Sequence, residues 1–129
     1  MAAEKCTAGD TTRVRVGDAT FEIRPFLPAS RTGWPQLAMG EWQLRATGFG
    51  DCHPYDEVNY VLEGELEVEC DGEVVRAGAG EVIRVPAGSP AFYRAASFAR
   101  MLYIYGPNPE GLPSDGFPDP KAPHAPEHS

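Results

Sequence analysis

The run Asp51-Cys52-His53-Pro54-Tyr55-Asp56-Glu57 gathers more reactive side chains than any other stretch of this chain. On an extended strand side chains alternate, so Asp51 and His53 share one face and Cys52 points away. Pro54 breaks the ladder, and Glu57 opens the next β-prone run with Asn59 and Val61 on its side. If Glu57 faces inward with Asp51 and His53, one imidazole and two carboxylates meet. That set suits a divalent transition metal, Fe, Mn, Zn or Ni, which would polarise an oxygen or activate water. Glu57 also has a metal-free role. A carboxyl enclosed by apolar walls is poised as a general acid or base. Its plainer role is an ion pair with Arg84 or Arg100. Tyr93 adds a second catalytic candidate, a phenol to move a proton, or else packs with its hydroxyl satisfied. Asn59, Tyr55 and Tyr93 are the candidate substrate-binding groups.

These groups need a scaffold, and period-two alternation supplies it. Thr12–Val16, Thr20–Arg24, Leu37–Leu44, Glu57–Leu62, Glu65–Cys70, Glu73–Arg76, Glu81–Val85, Ala91–Arg94 and Arg100–Tyr105 all read as strands. Asp71-Gly72 is the turn pair of a two-residue hairpin, since both positions need positive φ. Glu65, Glu67 and Glu69 form one row, expected to be a solvated sheet face. Short strands at regular spacing predict an all-β sandwich or barrel. The 14 Gly and 13 Pro among 129 residues also argue for many short elements joined by turns. The expected organisation is lead-in strands over 1–34, a core barrel over 35–107 and a Pro-rich tail over 108–129. The tail is expected to be disordered or draped over the barrel, with Phe117 as an anchor and His124 and His128 solvated. Trp34 and Trp42 are expected in the core or at a subunit interface.

Composition removes several function classes. A formal charge of −8 disfavours nucleic acid and anionic membrane surfaces. Three cysteines, Cys6, Cys52 and Cys70, show no CxxC spacing, so neither a disulfide framework nor a structural zinc site is expected. No GxSxG, HExxH or phosphate-cradling glycine loop occurs. The first ten residues hold no apolar run, and no stretch approaches the roughly 18 apolar residues of a membrane span. The expected compartment is a reducing cytoplasm.

Two motifs then place the chain beside a known fold. Glu57 and Gly64 resemble the first cupin motif, with His53 at its second histidine and Asp51 where the first would stand. Gly80, Pro86 and Gly88 resemble the second motif, with Ala91 at its histidine position. The resemblance implies a cupin double-stranded β-helix, an all-β jelly-roll barrel. Tyr55-Asp56-Glu57, Asn59-Tyr60-Val61-Leu62-Glu63-Gly64 and the closing Met101–Pro107 are similar to the ethanolamine-utilisation cupins. That likeness implies a bacterial, cytosolic homodimer from a group that has lost the full histidine set and is credited with acetate kinase activity.

Two functions follow as expectations. In the first, a metal on Asp51, His53 and Glu57 acts on a small polar metabolite, while Glu57 or Tyr93 moves protons in an isomerase, lyase or hydrolase reaction. In the second, a metal-free cavity recognises a small molecule without turnover. His53 favours the first, Ala91 the second.

Overall fold

A computed structural model describes residues 2–30 and 32–123. Among them eight strands form: β1 Thr12–Val16, β2 Ala19–Leu27, β3 Ala38–Cys52, β4 Glu57–Cys70, β5 Glu73–Gly78, β6 Val82–Val85, β7 Ala91–Tyr105 and β8 Asp115–Pro118. All their pairings are antiparallel, in the order β1-β2-β3-β7-β4-β5, with β6 on β4 and β8 on β3. The architecture is the all-β cupin jelly roll that the motifs imply. Among the described residues no helix is long and apolar enough to cross a membrane.

Two strands each merge two of the runs that the sequence pattern separates. The runs Glu57–Leu62 and Glu65–Cys70 are one strand, β4, and Ala91–Arg94 joins Arg100–Tyr105 through Ala95–Ala99 as β7. Glu63-Gly64 reads as a turn in the sequence, yet the pairing of β4 with β7 only shifts register there. A bulge lets one strand bend and continue without reversing. Gly64 is required at this bend. Its φ is +77°, and a Cβ there would collide with the Phe98 carbonyl. By contrast Asp71-Gly72 is the expected hairpin, with φ of 53° and 77° and Cys70 opposite Glu73.

The bend keeps the inward rows aligned. Leu44, Val61, Leu66, Val68, Tyr93 and Met101 are fully buried and form the centre of the core. Burying each aliphatic side chain contributes about 1.5–3 kcal/mol. Trp42 belongs to this core, whereas Trp34 sits by the tail, bridged to Asn108 and edge-on to Tyr55 and Tyr105. Cys70 is half-buried at the end of β4 and packs against this core.

The glutamate row on β4 departs from a purely solvated face. Glu65 is exposed, but Glu67 and Glu69 are half-buried because both receive Arg94, at 3.2 and 2.9 Å. Arg94 also makes a two-pronged bond with Asp119 of the tail, one prong Nη2 to Oδ1 at 3.0 Å. The tail is therefore fastened in extended form. Phe117 lies on Gly50, where a Cβ would meet its ring, and sits edge-on to Phe92. His124 and His128 lie outside the described residues.

Candidate functional site

Asp51 sits near the end of β3, His53 just beyond it, and Glu57 opens β4. The short connection through Pro54 brings the three together. His53 Nε2 lies 3.0 Å from Asp51 Oδ2 and 3.2 Å from Glu57 Oε2. Its Nδ1 lies 2.6 Å from Ser114 Oγ of the tail, and the Tyr55 hydroxyl is 3.2 Å from the same oxygen. Behind Glu57, the Asn59 amide donates to its Oε1 at 2.7 Å, and Trp42 Nε1 donates to Asn59 Oδ1 at 2.7 Å. One chain of hydrogen bonds thus runs from the core indole to the tail serine.

These groups open on a cavity of about 120 Å³ lined by Asp51, His53, Tyr55, Glu57 and Tyr93 together with Phe21, Ile23, Trp42, Phe49, Tyr103 and Tyr105. Behind this wall, closed to solvent, Asp51 Oδ1 and the Tyr93 hydroxyl have no partner at hydrogen-bond distance among the described residues, though the hydroxyl stands near enough to Asp51 to lower its pKa. Burying such groups unpaired costs about 1–3 kcal/mol each.

Burial alone would lower the basicity of His53. Its hydrogen bonds to Asp51 and Glu57, with their negative charges, outweigh that and push its pKa up to about 10. The ring is then an imidazolium at neutral pH, donating Nε2–H between the carboxylates and Nδ1–H to Ser114. Burial pushes the Asp51 carboxyl up, against the lowering effect of His53. Burial likewise pushes Tyr55 up to about 12 and Tyr93 well above the ordinary phenol range, so both keep their protons.

The sequence profile of the ethanolamine utilisation protein EutQ matches residues 30–109. The chain belongs to the EutQ family. It is 36% identical over 73 residues to the acetate kinase EutQ of Clostridioides difficile (strain 630), which is 57% of this chain and 46% of that protein. Across the curated EutQ relatives that it matches, the chain spans between 23% and 46% of their length. The crystal structure of an ethanolamine utilisation protein Q from Salmonella typhimurium LT2 superposes with a TM-score of 0.64 at 25% identity, covering 81% of this chain and 98% of that one. The Schizosaccharomyces pombe Cnp3 cupin domain shares the fold alone, with a TM-score of 0.58 at 16% identity over 73% of this chain and 64% of that one.

The structure brings Asp51, His53, Tyr55, Glu57 and Tyr93 to the lining of one cavity. Asn59, expected to bind substrate, is fully buried with both ends of its amide engaged, so it positions Glu57 and does not line the cavity. The alternative ion pairs of Glu57 do not form: Arg84 pairs with Asp56, and Arg100 with Glu63 and Glu41. Ala91 is fully buried opposite Asp51 across β3 and β7. Ser114 is the residue that sequence reasoning missed. It lies 61 positions from His53, and its neighbours Pro113 and Asp115 read as loop. Its one signal was negative, a histidine with two ring nitrogens and only one evident set of partners.

The metal expectation was tested on the same atoms. Two carboxylate oxygens and an imidazole nitrogen are the right donor types for a first-row divalent ion. As arranged, however, Nε2 donates to both oxygens, and among the described residues no group of three His, Cys, Asp or Glu is disposed to hold a metal ion.

Proposed function

We propose that this chain is a small-molecule cupin whose barrel cavity takes a small polar molecule and handles its protons through Asp51, His53, Glu57 and Tyr93. The observation that carries the reading is the meeting of His53 Nε2 with Asp51 Oδ2 and Glu57 Oε2 at the wall of one cavity. Titratable side chains converging on a concave, mostly aromatic wall favour a small-molecule site. The His53 Nε2 proton lies between two carboxylates and passes to either when a ligand loads one of them. Glu57, steadied by Asn59, is the general acid or base. Tyr93 keeps its proton and donates to an oxygen on which charge develops. Ser114 positions the ring. Chemistry of the isomerase, lyase or hydrolase type fits these roles; recognition without turnover uses the same contacts.

The acetate kinase activity named for the longer relatives is not the reading favoured here. Asp51 and Glu57 would repel a carboxylate substrate at this cavity. A bacterial cytoplasmic homodimer, with a barrel over 35–107 flanked by 1–34 and 108–129, belongs to the same proposal, and sedimentation tests the dimer. The test of the site is a thermal-shift screen of small polar metabolites against wild type, Tyr93→Phe and Asp51→Asn. A true ligand stabilises the wild type and loses that effect in both variants. A screen whose hits stabilise all three proteins equally would overturn the assignment.

A second reading rests on the convergence of Asp51 Oδ2, His53 Nε2 and Glu57 Oε2. Were the imidazolium to give up its Nε2 proton, these residues would hold a divalent ion able to act as a Lewis acid. After incubation with Mn, Fe(II), Zn or Ni, this reading expects about one equivalent, absent from His53→Ala. Less than about 0.1 equivalent rejects it.

A further inference from the structure

The sheet region built from β3, β7, β4 and β6 is apolar on its outer face as well as its inner one. The registers align Met39, Ile104 and Val58 in one outward row and Leu102, Tyr60 and Val82 in the next. These positions alternate with the inward, buried Asn59, Val61, Met101 and Tyr103. Tyr60 and Val82 are 38% and 55% exposed, and the other four outward side chains are half-buried. We propose that a second copy of the chain docks on this outer face, related to the first by a two-fold axis running parallel to the strands. The proposal rests on the homodimer reading above and names the surface that forms it.

An antiparallel sheet with one solvated face alternates apolar in and polar out. Most of this fold obeys that rule. On β1, Val14 and Val16 are half-buried while Arg13 and Arg15 are exposed, and beyond the Gly64 bend β4 turns Glu65 out and Leu66 in. Before the bend the same strand turns Val58 and Tyr60 out. On β3 the outward positions change from apolar Met39 to polar Glu41, Gln43 and Arg45. The apolar outer patch is therefore local, bounded by polar rows, and a patch of that kind marks a contact with another molecule. Among the described residues no strand crosses it, since β1, β5 and β8 attach through the edges of β2, β4 and β3.

Charge identifies the occupant as a second copy. The first 48 residues hold six Lys and Arg against five Asp and Glu, and the rest of the chain holds five against fourteen. On the β1–β2–β3 side of the patch, outward Arg13, Arg15, Arg24 and Arg45 outnumber Glu22 and Glu41. On the β4–β6 side, exposed Glu63, Glu65 and Glu81 outnumber Arg84. A two-fold axis along the strands turns β3 of one copy onto β6 of the other. The arginine side of each copy then meets the glutamate side of its partner, and the match is made twice. Sheets packed face to face keep their strands nearly aligned, which this axis also requires. Val58 and Tyr60 alternate with Glu57 and Asn59, so the partner copy backs the strand that carries the candidate acid or base.

The test is analytical ultracentrifugation of the full chain at low salt, with Tyr60→Glu, Val82→Glu, Arg45→Glu and, on the exposed edge strand β5, Val74→Glu. Far-UV circular dichroism checks that each variant is folded. The docking assignment expects a wild-type dimer that is at least about thirtyfold weaker in Tyr60→Glu and in Val82→Glu, and unchanged in Val74→Glu. Arg45→Glu weakens it about fivefold or more, a difference that about 0.5 M salt shrinks. Tyr60 and Val82 are exposed and lie on separate strands, so if one variant misfolds the other decides. A wild-type dimer that survives both substitutions, or that Val74→Glu breaks, overturns this face and leaves the homodimer standing. An Arg45→Glu dimer as tight as the wild type overturns the strand-parallel axis. A wild-type chain still monomeric at about 100 μM overturns the homodimer and this face together.

Discussion

At the residue scale, His53 gives the sharpest pH signature. Its folded pKa of about 10 lies above the ordinary histidine value of 6.5. The folded chain therefore holds a proton that the unfolded chain has released between those limits. The stabilisation is fully present below about pH 6.5 and is lost as pH rises through about 10, with a limiting slope of about 1.4 kcal/mol per pH unit. Urea denaturation of wild type and His53→Gln from pH 7 to 9.5 should show that slope in the wild type and its reduction in the variant. Cys70, whose thiol burial pushes up, adds a smaller effect of the same sign above pH 9 in both proteins, so the difference isolates His53. Tyr93→Phe makes the opposite kind of prediction. It removes a hydroxyl that has no partner, so the ligand-free protein should keep its stability or gain up to about 1 kcal/mol. A loss above that, measured in guanidinium, would mean the hydroxyl is already bonded. The meeting of Asp51, His53 and Glu57 was legible because alternation and a short connection determine it. The role of Asn59 was not. Its side of the strand follows from the pattern, but the indole that takes up its carbonyl comes from β3, 17 residues away.

At the element scale, the tail takes the second of its two expected forms, draped over the barrel with Phe117 against Gly50 and Phe92. Seven prolines after Gly106 remove ladder donors and argue against a central strand. Yet β8 pairs with β3 over Asp115–Pro118, because four residues on an edge tolerate a terminal proline. What fastens it, Arg94 with Asp119, has no local pattern, since the partners are 25 residues apart. The Asp119 side chain is fully buried and that of Arg94 nearly so. Asp119→Ala should cost about 3 kcal/mol, the lower end for breaking a buried pair, because Arg94 keeps Glu67 and Glu69. Hydrogen exchange should speed most at Asp115, Gly116 and Phe117. Ser114→Ala takes the Nδ1 partner from His53 without cutting the strap. It should lower the imidazole pKa in an NMR titration while leaving exchange at β8 unchanged.

At the scale of the whole molecule, β7 is the keystone. It pairs along its length with β3 on one side and β4 on the other, so the sheets cannot open separately. Met101, fully buried at its centre, should cost about 2–5 kcal/mol when cut to alanine. Tryptophan fluorescence and far-UV circular dichroism should then report one coincident transition, in the variant as in the wild type. Two separated transitions would show that the barrel and its outer strands fold apart. Fold class was legible at this scale because turn spacing and two motifs agree; strand lengths were not, because a bulge and a turn look alike when read as Glu63-Gly64. The acid–base groups Asp51, His53 and Glu57 all come from the stretch running from the end of β3 to the start of β4, whereas the enclosing walls are spread over distant strands. That division makes the reactive part a cassette: exchanging residues 51–57 between sister barrels would swap these three groups and leave the container, Tyr93 with it, intact.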